Sequence, residues 1–156
     1  MRKQILALVS IFLLLACNSD DNSNNTSSCC GEDAFIIETN NLSGDTEIVP
    51  FNVITPNGDR INDVFVIGGL AAYPNNYLRV FSSDNTLVFE TENYHLNQVF
   101  GAHLINDSFV QKVFTYELTV DNGNSFKAQG IICAVKTSIN NLNSCRVFNL
   151  SDPLLN

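Results

Sequence analysis

Three oxygen-bearing side chains stand within five residues of the stretch TPNGDRINDVF at 55–65: Asp59, Asn62 and Asp63. Oxygen donors at that density suit a hard cation such as calcium. Their order is not the D-x-[DN]-x-[DN]-G with a distal glutamate of an EF-hand loop. The simpler reading is a capped corner that holds no metal. Pro56 sets its own φ and keeps Thr55 extended, Asn57 and Gly58 turn the chain, and the Asp and Asn side chains accept hydrogen bonds from nearby backbone amides.

Sulfur is the second source of chemistry. Cys17, Cys29, Cys30, Cys133 and Cys145 are the five cysteines. If Cys17 is set aside, the other four form an even set that an extracytoplasmic protein spends on disulfides. Adjacent cysteines rarely bridge each other, so Cys29 and Cys30 are each expected to reach Cys133 or Cys145, in either pairing. Zinc is the rival, but no CxxC or suitably spaced histidine supports it. His95 and His103 are the two histidines, with no HExxH and no G-x-S-x-G elbow around them. Without a nucleophile, metal cage or phosphate loop, no enzyme activity is expected.

Cys17 has a separate explanation. Arg2 and Lys3 precede an uncharged run from Ile5 to Ala16, too short to span a bilayer as a helix and of the length of a signal peptide's apolar region. The end of that run, LLAC at 14–17, resembles the lipobox of bacterial lipoproteins, which implies that Cys17 is acylated and becomes the mature N-terminus. A diacylglyceryl cysteine supplies the two chains that stable attachment requires. The polar stretch NSDDNSNNTSS after it buries too little apolar area to offset its ordering entropy and reads as a tether. Ser19–Asp21 resembles the acidic signal that sends lipoproteins of the Bacteroidota to the outer face of the outer membrane. A solvated acidic linker is the other reading.

Without Arg2 and Lys3, six basic residues face sixteen acidic ones. A chain this acidic is a poor partner for nucleic acid, which binds through Lys and Arg. The residues beyond the tether are enough for one domain. They break into short runs rich in Val, Ile, Phe and Tyr, separated by Asn, Asp, Gly and Ser, which is an all-β pattern. Residues 112–135 predict a hairpin turning at Asp121–Asn124, because Phe114, Tyr116, Leu118 and Val120 alternate with polar residues. A second hairpin turns at Ser82–Asn85. Strands are expected at Glu47–Ile54 and Val64–Gly69, with a short one at Arg146–Phe148.

FNVITPNGDRINDVFVIGGLAAYPNNYLRVFSS, residues 51–83, resembles the start of the gliding-motility-associated C-terminal domain, also called the type B sorting domain of the type IX secretion system. The likeness runs through Thr55, Pro56, Asn57, Gly58, Asp59, Asn62, Asp63 and Phe65, then Tyr73, Pro74, Asn75 and Asn76, then Leu78, Val80 and Phe81. It continues in LVFETENYH, FTYEL and GIICAVK, up to a terminal basic residue at Lys136, and spans about 47–136. Arg60 stands where the family has glycine, and the family's tryptophans are absent. The resemblance implies an immunoglobulin-like antiparallel β-sandwich of about seven strands, and a protein partner in the secretion, gliding or surface apparatus. The expected organisation is a signal peptide at 1–16, a lipidated tether at 17–45, the sandwich at 46–137 and a C-terminal extension at 138–156. The expected setting is a non-catalytic, lipid-anchored protein of the outer membrane, displayed at the cell surface. Two alternatives stay open: a true sorting signal that is recognised and cleaved, and a calcium-dependent or glycan-binding module.

Overall fold

The computed structural model describes residues 29–31, 35–96, 98–138, 142 and 145–155; Cys17, Ser19–Asp21 and the polar stretch after Cys17 lie outside them. The described residues form eight strands: β1 (Phe35–Asn40), β2 (Val49–Phe51), β3 (Val53–Ile54), β4 (Val66–Gly68), β5 (Asn76–Ser82), β6 (Leu87–Glu92), β7 (Gln111–Val120) and β8 (Phe126–Val135). The described residues otherwise contain short 3-10 turns, and no helix among them is long and apolar enough to cross a membrane.

The β7–β8 hairpin forms as its alternation requires. Phe114, Tyr116, Leu118 and Val120 bury one face, as do Phe126, Ala128, Gly130 and Ile132 on the return. Asp121, Asn122 and Gly123 turn the chain with φ of 51, 54 and 87°, a conformation open to glycine and tolerated by Asn and Asp. β5 pairs with β7, and β6 with β5, all antiparallel. Two strands share the far edge of β8: β1 runs antiparallel, with Phe35 opposite Gly130, and β3 runs parallel, with Val53 opposite Cys133. β2 and β4 form a second, two-stranded sheet. The main core lies between the sheets, where Leu78, Leu118 and Phe126 pack in one cluster with Ile48, Ile67 and Leu70. Each such side chain contributes about 1.5–3 kcal/mol by leaving water. The result is an all-β, lopsided sandwich, antiparallel apart from β3.

Several local expectations are corrected. The strand expected at 47–54 divides into β2 and β3 around Asn52, a buried residue whose carbonyl accepts from the Cys133 amide at 2.8 Å. β1 lies within the 17–45 stretch read as tether; its FIIETN run carries the strand signal in spite of the polar composition upstream. Arg146–Phe148 is no strand, because its backbone meets a side chain where a ladder would need a second backbone. The Arg146 amide donates to Asn52 Oδ1 at 2.7 Å, and the Val53 amide reaches the Arg146 carbonyl at 3.4 Å. Of the two pairings left open for the cysteines, Cys29 joins Cys133 and Cys30 joins Cys145, with Cα separations of 5.6 and 5.3 Å. Each closes a loop of more than a hundred residues, for which the chain-entropy model gives about 4–5 kcal/mol of stabilisation per bridge taken alone.

Tyr94 fastens the loop after β6 to the core. Its hydroxyl donates to the Phe65 carbonyl at 2.5 Å and accepts from the Phe100 amide at 3.1 Å. Burial pushes its pKa well above the usual phenol range, so the donor stays protonated. Tyr94→Phe keeps the ring packing and strands both backbone groups. It is expected to cost about 1–3 kcal/mol in a denaturant melt, whereas a loss below a few tenths would mean that water replaces the hydroxyl.

Candidate functional site

The corner at 55–63 joins β3 to the chain leading into β4. Asp63 organises it: Oδ1 accepts from the Asn57 and Gly58 amides at 2.9 and 2.8 Å, and Oδ2 accepts from the Arg60 amide at 2.8 Å. Asp59 Oδ1 accepts from the Ile61 amide at 2.8 Å, while Oδ2 takes the Asn57 side-chain amide at 3.0 Å. Arg60 adopts φ 71°, left-handed backbone that costs a non-glycine residue roughly 1–2 kcal/mol. The bond from its amide to Asp63 offsets part of that cost.

The calcium candidates do not share a centre. Asp59 and Asp63 face N–H donors, whose polarity repels a cation, and Asn62 turns away from both. Asn62 is 6% exposed, donates to the Asn149 carbonyl at 2.8 Å and accepts from the Asn149 amide at 2.9 Å. Pro56 is buried, whereas Asn57, Gly58 and Asp59 are exposed. The motif therefore has two faces: a solvent-facing loop centred on Asp63, and a buried face of Thr55 and Asn62.

That buried face holds a carboxylate. Asp152 is fully buried, and its Oδ2 accepts from the Thr55 hydroxyl and, at 3.0 Å, from Asn62 Nδ2. Its Oδ1 accepts from the Leu154 amide at 2.9 Å. Local sequence reading misses Asp152, Asn149 and Asn52. Their partners lie 87 to 97 residues away, and an Asp before Pro in a short polar run looks like an ordinary turn.

The remaining candidates separate. The sulfur atoms of Cys29, Cys30 and Cys133 lie within 4.8 Å of one another, in a cluster bonded as disulfides. Lys136 donates to the Ile105 and Asp107 carbonyls at 2.7 and 2.6 Å and sits 5.1 Å from the centre of the Phe109 ring, tying down the loop before β7. His95 Nε2 accepts from the Ile67 amide at 3.1 Å, and His103 packs on Phe100 with ring centres 5.2 Å apart. Burial pulls both imidazoles below their usual pKa. Protonation of His95 would also break its bond from Ile67.

A family model described as CHU_C Type IX secretion signal domain matches residues 48–134. No curated protein and no solved structure matches. The matched span takes in the corner and the strands from β2 to all but the last residue of β8, and leaves Cys29, Cys30, β1 and residues 145–155 outside it.

This geometry makes two testable demands. Asp63→Ala removes a cap from the exposed loop and is expected to cost about 1–2 kcal/mol, equally in calcium and in chelator. A loss confined to calcium-containing buffer would restore the metal reading. The folded state binds the His95 proton less tightly than the unfolded chain, where histidine titrates near about 6.5. Its contribution is therefore present above that pH and is lost as pH falls below it. The melting temperature should drop between pH 7 and 5.5, and His95→Asn, which suits the residue's φ of 75°, should flatten the drop; an unchanged slope would exclude His95 as its source.

Proposed function

The chain belongs to the CHU_C type IX secretion signal domain family, and from that premise we propose that it is a non-catalytic outer-membrane lipoprotein whose β-sandwich is retained as a protein-interaction module at the cell surface. Family membership supports a type IX secretion-related role and a secreted or cell-surface location. Acylated Cys17 supplies the anchor, and the partner belongs to the secretion, gliding or surface apparatus. The excess of acidic over basic residues opposes a nucleic-acid ligand on electrostatic grounds.

The observation that carries retention is covalent. Cys29 and Cys30 are bridged to Cys133 and Cys145, so a single cut anywhere between Gly31 and Ile132 releases nothing until the bridges are reduced. Contact by strand addition suits the β6 edge. Among the described residues β6 pairs with β5 alone, and it exposes Leu87 and Val88. The opposite edge is blunted by the irregularity in β1 between Ile37 and Thr39 and by the Glu38–Lys127 ion pair at 2.5 Å.

The second reading, favoured by the family's description, is a sorting signal clipped during export. To shed the domain with its bridges intact, a protease must cut ahead of Cys29. Calcium or glycan binding centred on Asp59 and Asp63 is the weakest reading, because both carboxylates face the loop's own amides.

Intact mass of the protein extracted from membranes, taken before and after reduction, separates the readings. The expected species is a diacylated chain from Cys17 to Asn156 in both samples. A lipidated remnant ending before Cys29 in the unreduced sample would overturn retention, whereas a fragment freed only by reduction would be a nicked domain still held by its bridges. An unlipidated Cys17 would remove the anchor.

A further inference from the structure

Residues 145–155 lie on the molecule as a bound peptide would. The tail's backbone is read by side chains of the body: Asn52 Oδ1 accepts from the Arg146 amide at 2.7 Å, and Asn62 makes a two-way bond with the backbone of Asn149 at 2.8 and 2.9 Å. Asn62 thus does for the tail what a neighbouring strand's backbone would do in a ladder. A carboxylate three residues further on, that of Asp152, fills the buried position between Thr55 and Asn62. The aromatic and basic side chains between find partners as well. Arg146 lies 5.7 Å from the centre of the Phe35 ring, and Phe148 meets Phe51 edge-on with ring centres 5.2 Å apart.

The tail's apolar anchors are separate from the main core. Val147 and Leu155 pack in a small cluster with Cys30, Val53, Cys133 and Val135, while the main core contains no residue of the tail. The interior of the sandwich therefore closes without it, and the tail is an occupant of a groove along β3 and the corner.

We propose that this groove is a peptide-accepting site that can take residues 145–155 of a second copy in place of its own, linking two chains by exchange of tails. The occupant is self-supplied: every bond, anchor and carboxylate contact made in cis is available unchanged from an identical chain, which is what makes exchange of an element a low-cost route to dimers. Cys30 beside the groove meets Cys145 of whichever tail is bound, so the Cys30–Cys145 bridge locks the arrangement in which the chain is first oxidised. This goes beyond the functional reading above and does not depend on the anchor.

The test uses two full-length chains that cannot close the bridge in cis. Cys30→Ser keeps Cys145 on its tail, and Cys145→Ser keeps Cys30 beside its groove. They are mixed in reduced form and oxidised with oxidised glutathione, which takes up the two electrons and two protons released as the thiols join. The expected product is a covalent heterodimer of twice the chain mass, with Cys30 of one copy bonded to Cys145 of the other by peptide mapping. Adding Asp152→Ala to the tail donor, or Asn62→Ala to the groove donor, should cut its yield at least tenfold. A heterodimer that forms equally well with Asp152→Ala would be random thiol oxidation, and that result, or no heterodimer, overturns the proposal.

If the variants fail to fold, hydrogen exchange on the reduced native chain decides. The Arg146, Asn149 and Leu154 amides must lose protection while β7 and β8 keep theirs. Loss of both together would make the tail an integral part of the core and end the proposal.

Discussion

The two-sided pairing of β8 is the constraint on which the other elements rest. One edge of this ten-residue strand is taken along its whole length by β7, and the other is divided between antiparallel β1 and parallel β3. A parallel partner cannot arrive by a tight turn. β3 is delivered instead by the chain from β1 through β2, and must leave β8 by an abrupt corner that turns toward the second sheet. The corner at 55–63 does this within a few residues, which is why its backbone visits left-handed φ at Gly58, Arg60 and Asn62. Asp63 holds the Gly58 and Arg60 amides among them. β8 also carries Cys133, so the same strand anchors the chain entering the domain.

The motif residues divide their labour accordingly. Asp59 and Asp63 serve the loop's own amides, whereas Thr55 and Asn62 serve a distant segment. A buried carboxylate such as Asp152 is costly unless its oxygens are met by donors. The Thr55 hydroxyl and the Asn62 amide meet one oxygen, and the Leu154 amide meets the other. Truncating Thr55 or Asn62 would take from the buried Asp152 Oδ2 one of those two donors, so the tail and the corner depend on each other energetically although they lie far apart in the chain.

Residue chemistry at the ends makes this domain more heavily tied than its sheet alone would be. The bridges hold the N-terminal approach and the C-terminal tail against β8 and the groove beside β3. Load entering at Cys29 passes through the Cys29–Cys133 bridge into β8, which is paired on both edges, ahead of the edge strands. β6 lies at the far edge of that sheet from β8 and its bridge.

How much was legible beforehand depended on the range over which each signal acts. Alternation within β7 and β8, the turn residues at 121–123, the caps of the corner and the likeness to the secretion-signal family are all encoded by near neighbours, and the sequence alone determined them. It also narrowed the cysteines to two pairings, since adjacent thiols do not bridge. The choice between those pairings, the parallel placement of β3, the recruitment of β1 from a polar stretch and the burial of Asp152 belonged to the tertiary structure. Each depends on which groups meet across roughly ninety or more residues, and that is decided by filling one core and satisfying every buried donor and acceptor together. No local periodicity or propensity carries that information, because the free energy that selects these contacts exists only once the sheets have closed.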